Sequence, residues 1–269
     1  MTPRTPLRSR RIHLRELQDH FVDVVLGRAV QRVGAPTDLQ FTQRQLYYEV
    51  CRTLLPVHRL PRKPAFTVPA PVSYRRFCTW LERSDDVPGL LHPRPARAGG
   101  IGCHTPEPDL YAYGLPRILC CQSQGIAEML RANGLPMESA CLVVGVDELP
   151  LSDGIIRMLG NVDDGPARVY VLHDDSPTGA ELPGRIRELA SLPDSVQVVP
   201  IGLRRGQSAP LHLTRTGFGM GSDVEVAAVA PAMLLRSVHR LVREMHRHHE
   251  SLVDIRGARS TGFLTWPQR

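Results

Sequence analysis

Val169-Tyr170-Val171-Leu172-His173-Asp174-Asp175-Ser176-Pro177-Thr178-Gly179 is the stretch on which the reading of this 269-residue chain turns. Four apolar, β-prone residues run into a polar turn, after which residues 179–189 have the spacing of a helix. In open α/β sheets, ligands and metal ions gather just beyond the carboxyl ends of strands. Asp174 and Asp175 stand at such an end, where two carboxylates can hold a divalent cation. Outward from this stretch the pattern repeats. Short apolar runs at 118–121, 140–144 and 196–201 alternate with helix-like segments at 125–133 and 149–159. That alternation predicts an α/β fold with a mostly parallel sheet covered on both faces. A last helix is expected over 231–249, with Leu234, Leu235, Val238, Leu241, Val242 and Met245 toward the core.

Towards the N-terminus the period changes. Residues 11–33 carry Leu14, Leu17, Phe21, Val24, Val25 and Ala29 at helical spacing, and Gly34 and Pro36 end the run. Thr42 has the chemistry of an N-cap for a second helix over 43–55, closed by Pro56. A third helix, 74–83, places Phe77, Trp80 and Leu81 on one face with Arg75 and Arg76 beside them. Three helices with proline-rich connections suit a winged-helix DNA-binding domain, and they suit any small helical bundle. Between 92 and 116 the pattern dissolves into Pro, Gly and Ala, as expected of a linker. The predicted organisation is a helical domain over 1–91, a linker over 92–116 and an α/β domain over 117–269.

Charge follows the same division. The net charge of +6 is the sum of +9 over residues 1–83, with 15 Lys+Arg against 6 Asp+Glu, and −3 over the rest. A concentrated positive field is the usual footprint of polyanion binding, and a solvated basic face produces the same count. Lys63 is the sole lysine. No run of about 18 apolar residues exists to span a membrane, and the first residues lack the apolar core of a signal peptide. The six cysteines show no C-x-x-C spacing, which argues against a zinc knuckle or a disulfide framework and for a reducing cytoplasm.

Two segments carry candidate chemistry: Thr42-Gln43-Arg44-Gln45-Leu46-Tyr47-Tyr48-Glu49-Val50 and the Asp174–Gly179 turn. Together they resemble the A subunit of type IIB topoisomerases (topoisomerase VI) and the related meiotic double-strand-break transesterases. That family joins a winged-helix domain bearing Arg-x-x-Tyr-Tyr to a Toprim domain. Arg44, Tyr47 and Tyr48 match the first motif. The 118–122 run is similar to the first Toprim strand, with Gln122 where the family has Glu. Asp174-Asp175-Ser176-Pro177-Thr178-Gly179 is similar to the family's Asp-x-Asp-Pro-x-Gly, with Ser176 at the second Asp. Residues 143–150 resemble the intervening loop, and Ile201-Gly202-Leu203 and Val224-Glu225-Val226 resemble late strands. The family's lysine-glycine element after the third helix is not found.

The resemblance implies a DNA-binding protein of winged-helix-like plus Toprim-like architecture. It implies attack by Tyr48 on a DNA phosphodiester with Arg44 as activating cation, assisted by Mg²⁺. It also implies a homodimer, a separate ATPase subunit and a cytoplasmic, nucleoid-associated location. Arg44, Arg52, Arg75 and Arg76 are the expected DNA contacts. With Gln122 and Ser176 at two acidic positions, Asp174 is the main metal ligand that remains. Asp175 is the lesser one, since consecutive residues leaving a strand point apart. Asp147, Glu148 or Asp153 could substitute. On residue chemistry alone, Arg44 and Tyr48 share a helix face at i, i+4, while Leu46, Tyr47 and Val50 could equally be core neighbours with Tyr48 at their edge.

Two rivals stand beside this reading: a non-catalytic DNA-binding or assembly subunit with a Toprim scaffold, and a Toprim nuclease of an anti-plasmid or anti-phage system. The tail His246, His248, His249 and Glu250 reads as solvated rather than metal-binding. The glycine-rich 217–221 lacks a phosphate-loop context. Ser152-Asp153-Gly154 lacks that of a nucleophile elbow.

Overall fold

The alternation of apolar runs and helix-like segments becomes a four-stranded parallel sheet in the computed structural model, which describes residues 7–61, 63–84, 86–92, 116–162, 165–216 and 223–244. In the front segment lie α1 (Leu7–Val33), β1 (Phe41–Thr42), α2 (Gln43–Leu54), β2 (Val68–Pro69), α3 (Tyr74–Leu81) and β3 (Leu90–Leu91). Behind them come β4 (Arg117–Cys121), α4 (Gln124–Ala132), α5 (Leu135–Ser139), β5 (Leu142–Gly145), α6 (Asp153–Gly160), β6 (Arg168–Leu172), α7 (Pro177–Leu189), β7 (Gln197–Pro200), α8 (Arg205–Ser208), β8 (Thr214–Arg215) and α9 (Pro231–Glu244). Most of the expected 92–116 linker lies outside the described residues, as do Met245, the histidine tail and the 217–221 glycines. Among the described residues, no helix is long and apolar enough to cross a membrane.

The main sheet has the order β5-β4-β6-β7, with every neighbour parallel. The chain steps from β4 to one side, then crosses to β6 and continues to β7 on the other. The crevice between the carboxyl ends of β4 and β6 is therefore the topological switch point, the place where such sheets form sites. Alternation along each strand divides the core. Leu119, Cys121, Val143, Tyr170 and Leu172 face one side with α4, while Ile118, Cys120, Val144, Val169 and Val171 face the other with α6 and α7.

The front helices pack on the first of these faces. Tyr47, Tyr48, Val50 and Phe77 belong to the same buried cluster as Leu119, Leu172 and Val238 of α9. β2 pairs with β8, 146 residues later by register, so the segments on either side of the expected linker also share a strand pair. They do not carry separate cores. The strands described in the front segment are two residues long. β1 pairs parallel with β3 and β2 parallel with β8, so no antiparallel wing hairpin occurs among the described residues there.

α2 begins as its cap chemistry requires. Thr42 accepts the Gln45 N–H at 3.1 Å, and the Gln45 side chain reaches back to the Thr42 N–H at 3.0 Å, closing a capping box. On α1 the expected apolar stripe holds at Val25 and Ala29 and is corrected at Phe21 and Val24, while the side chains of Leu14 and Leu17 lie outside those described. Phe21 is 56% exposed and Val24 is exposed too, while Val25, Leu26, Ala29 and Val33 enter the core. Near the chain end, Val224-Glu225-Val226 is not a strand. It is a single antiparallel bridge from Val224 to Asp175, followed by a 3-10 turn over Val226–Ala228.

Candidate functional site

β4 and β6 deliver Gln122 and Asp174 side by side at the switch point. The Gln122 N–H donates to the Leu172 carbonyl at 2.9 Å and extends the ladder, and the Asp174 N–H donates to Gln122 Oε1, also at 2.9 Å. Ser176 then caps α7, its Oγ accepting the Gly179 N–H at 3.0 Å. Gly179 has a steric duty. A Cβ there would meet the Asp174 carbonyl oxygen at 2.3 Å and Gln122 Oε1 at 2.9 Å, so only glycine lets α7 start this close to the strand ends. Gly202 allows the same on the β7 side, where a Cβ would lie 2.3 Å from the His173 carbonyl oxygen.

The carboxylates at this point have internal partners. Asp174 Oδ1 accepts the Val226 N–H at 2.6 Å. Asp175 exchanges backbone hydrogen bonds with Val224, and its Oδ2 accepts the Ser208 hydroxyl. Burial raises the Asp174 carboxyl above its ordinary range. The Val226 N–H opposes that rise, and the nearby negative charge of Glu225 adds to it. Glu148, a candidate substitute ligand, accepts from Arg131 Nη1 at 2.9 Å, Gln124 Nε2 at 3.0 Å and the Gly145 N–H at 2.8 Å. Burial alone would raise its carboxyl. The Arg131, Gly145 and Gln124 hydrogen bonds together outweigh burial and lower it. Asp147 and Asp153 are exposed.

From the front segment, α2 brings Arg44 to the same place. Its guanidinium grips Glu225, with Nε 2.7 Å from Oε2 and Nη2 on Oε1. Tyr74, the first residue of α3, stacks under it with the guanidinium carbon 4.2 Å from the ring centroid. The Tyr47 and Tyr48 rings lie at 5.8 and 5.9 Å. Arg44, Glu225, Asp174 and Gln122 thus form one polar seam between the front segment and the sheet.

Tyr48 is 0% exposed, and its hydroxyl makes no hydrogen bond of regular geometry, although it lies near the Glu225 carboxylate. Burial first, then the Glu225 charge, pushes the phenol up, Arg44 offsets this only in part, and interaction of the hydroxyl with the Glu225 carboxylate adds to the rise. The group is thus a poorer source of phenolate than a free tyrosine. Tyr47 is buried too, and its hydroxyl donates to the Val72 carbonyl at 2.8 Å. Of the expected DNA contacts, Arg52 is held inside, with Nε 2.7 Å from Glu49 Oε2 and Nη1 2.6 Å from the Ala228 carbonyl. Arg75 and Arg76 of α3 are exposed.

Mg²⁺ takes an octahedron of hard oxygens, chiefly from carboxylates and water. Here Gln122 and Ser176 supply an amide and a hydroxyl rather than carboxylates, Asp174 Oδ1 is engaged with a backbone N–H, and both Glu225 oxygens face Arg44. No three His, Cys, Asp or Glu side chains gather among the described residues. The donor set does not fit a firmly held ion.

Sequence reasoning missed the parts played by Glu225, Tyr74 and Glu49. Glu49 and Arg52 carried a signal, opposite charges at i, i+3 on one helix. Glu225 carried none, because its partner lies 181 residues away. No family model, curated protein or solved structure matches the chain.

Proposed function

We propose that the protein is a DNA-binding subunit of topoisomerase VI A-like design, with a winged-helix-like front and a Toprim-like back, whose switch point serves as scaffold rather than as a reaction centre. One observation carries this reading: the groups that would do chemistry are engaged with one another or enclosed. Arg44 is closed on Glu225, Asp174 on Val226, Asp175 on Ser208, and the Tyr48 hydroxyl is buried with its proton held. DNA contact then falls to the exposed Arg75 and Arg76 on α3. A homodimer and a separate ATPase subunit belong to the same proposal.

Fluorescence anisotropy with a labelled duplex, together with denaturing gels for covalent adducts, tests it. Binding should weaken steeply from low to physiological salt as counterions compete. Arg75→Ala with Arg76→Ala should flatten the salt slope by about 2, one unit for each phosphate no longer neutralised, and no adduct should form. A covalent adduct that needs Tyr48 would replace this reading with the transesterase. Strand cleavage without an adduct would replace it with the nuclease.

A further inference from the structure

The Arg44–Glu225 pair is neither enclosed nor free on the surface. Arg52–Glu49 and Arg131–Glu148 each keep the carboxylate 8% exposed, and Arg83–Asp19 and Arg187–Asp194 are more exposed throughout, whereas Arg44 and Glu225 are 32% and 24% exposed. Solvent, and any anion in it, can therefore reach the guanidinium. Arg44 is also preorganised. Tyr74 lies beneath it at 4.2 Å and the Tyr47 and Tyr48 rings flank it, so its fork keeps one orientation when the carboxylate leaves. A planar, fixed fork of this kind recognises carboxylate and phosphate alike, by two parallel N–H···O bonds.

The position of this fork points to which anion it takes. Tyr74 is the residue immediately before Arg75 and Arg76, so the site continues directly into the exposed basic start of α3. A phosphodiester carries one negative charge, as does the Glu225 carboxylate it would displace.

We infer that Arg44 with Tyr74 forms a phosphodiester-binding site which Glu225 fills from within, as an internal competitor that a DNA phosphate displaces. This rests on the DNA-binding proposal above. It adds a consequence, since Val224 and Val226, on either side of Glu225, hold Asp175 and Asp174 at the switch point. Displacing Glu225 pulls on the segment that closes the crevice between β4 and β6.

The test compares Glu225→Gln with Glu181→Gln, an exposed substitution on α7 that changes the net charge equally. Removing the competitor should tighten duplex binding about two- to fivefold, the scale of a partly exposed ion pair. The dependence of log K on log salt should stay as in wild type, because the same phosphate meets Arg44 in both complexes. Glu181→Gln should leave affinity unchanged, and the gain should vanish when Arg44→Ala is added to Glu225→Gln. Affinity equal to wild type in a folded Glu225→Gln protein would overturn the inference and leave the DNA-binding proposal standing. Absence of binding in wild type and variant alike would overturn both. Should Glu225→Gln fail to fold, hydrogen exchange of the wild-type protein decides: duplex binding should speed exchange of the Val226 amide, and unchanged protection in the bound protein would refute displacement.

Discussion

Tyr47 and Tyr48 are adjacent, aromatic and buried, yet removing their hydroxyls should move stability in opposite directions. The Tyr48 hydroxyl sits in the core without a well-formed hydrogen bond, near a Glu225 carboxylate that Arg44 already holds. A buried hydroxyl left unpaired forfeits its hydration for nothing, a cost of about 1–3 kcal/mol. Tyr48→Phe keeps the ring and its packing against Tyr47, whose centroid is 5.0 Å away, and deletes only the unpaired group. The variant should be more stable by about 1 kcal/mol, the lower end of that range, because relaxation recovers part of the cost in wild type. Tyr47→Phe deletes the donor of a 2.8 Å bond and leaves the Val72 carbonyl without it. That variant should lose about 1–2 kcal/mol.

Urea unfolding followed by circular dichroism measures both, and equal slopes would show that the difference lies in the native state. The reasoning fails if Tyr48→Phe is the less stable of the two. Such a result would mean that the phenol has a native partner, and with it the orientation a nucleophile needs. A nucleophile predicts a different pattern again: an adduct in wild type that Tyr48→Phe abolishes and Tyr47→Phe leaves.

Three further outcomes are expected. Gly179→Ala should cost more than about 2 kcal/mol, because its methyl collides with the Asp174 backbone. Gly184→Ala on the same helix, with nothing within 4 Å, should gain about 0.5–1 kcal/mol by the same unfolding assay. Burial pushes the Cys120 and Cys141 thiols up to about 12. Raised folded values leave their contribution intact below the unfolded thiol value of about 8.5, and it declines as pH rises from there towards 12. The urea midpoint should therefore fall on the alkaline side, and less steeply in Cys120→Ala. Calorimetry should find Mg²⁺ binding weak in wild type and stronger in Gln122→Glu with Ser176→Asp, where Asp at 176 can still cap α7. Tight binding by the wild-type protein would reveal a ligand set other than the switch point.

Local chemistry made much of the fold legible. Thr42 announced α2 because an N-cap is a local signal, readable without knowing the rest of the fold. The runs at 118–121 and 169–172 announced β4 and β6 because strands buried on both faces need continuous apolar residues. What stayed hidden was non-local. On α1, 27 residues long, helical spacing admits a stripe through Phe21 and Val24 and another through Val25, Ala29 and Val33. Which of them is buried depends on where α2 and the sheet lie. Likewise, the front segment's excess of arginine gave no sign that Arg44 and Arg52 face Glu225 and Glu49 rather than a ligand. The positions of Gln122 and Asp174 at strand ends could be read directly, whereas the 224–226 segment that closes over them could not.

The closure shows how motif residues can lie together with each already engaged by a neighbour. A switch point is a crevice because the helices after its two strands lie on opposite faces of the sheet. Here α4 and α7 do so, and the crevice is filled by Val224, Glu225 and Val226. Each of the three meets a different group: Asp175, Arg44 and Asp174 in turn. Any ligand entering must break the backbone pairing of Val224 with Asp175, the Val226 N–H bond to the Asp174 carboxylate, or the ion pair to the arginine. The ion pair is the weaker barrier, because it is partly solvated. It is also the one nearest the exposed basic start of α3. Access to the switch point therefore runs through Arg44, the side chain that joins the exposed basic start of α3 to the segment closing the sheet end.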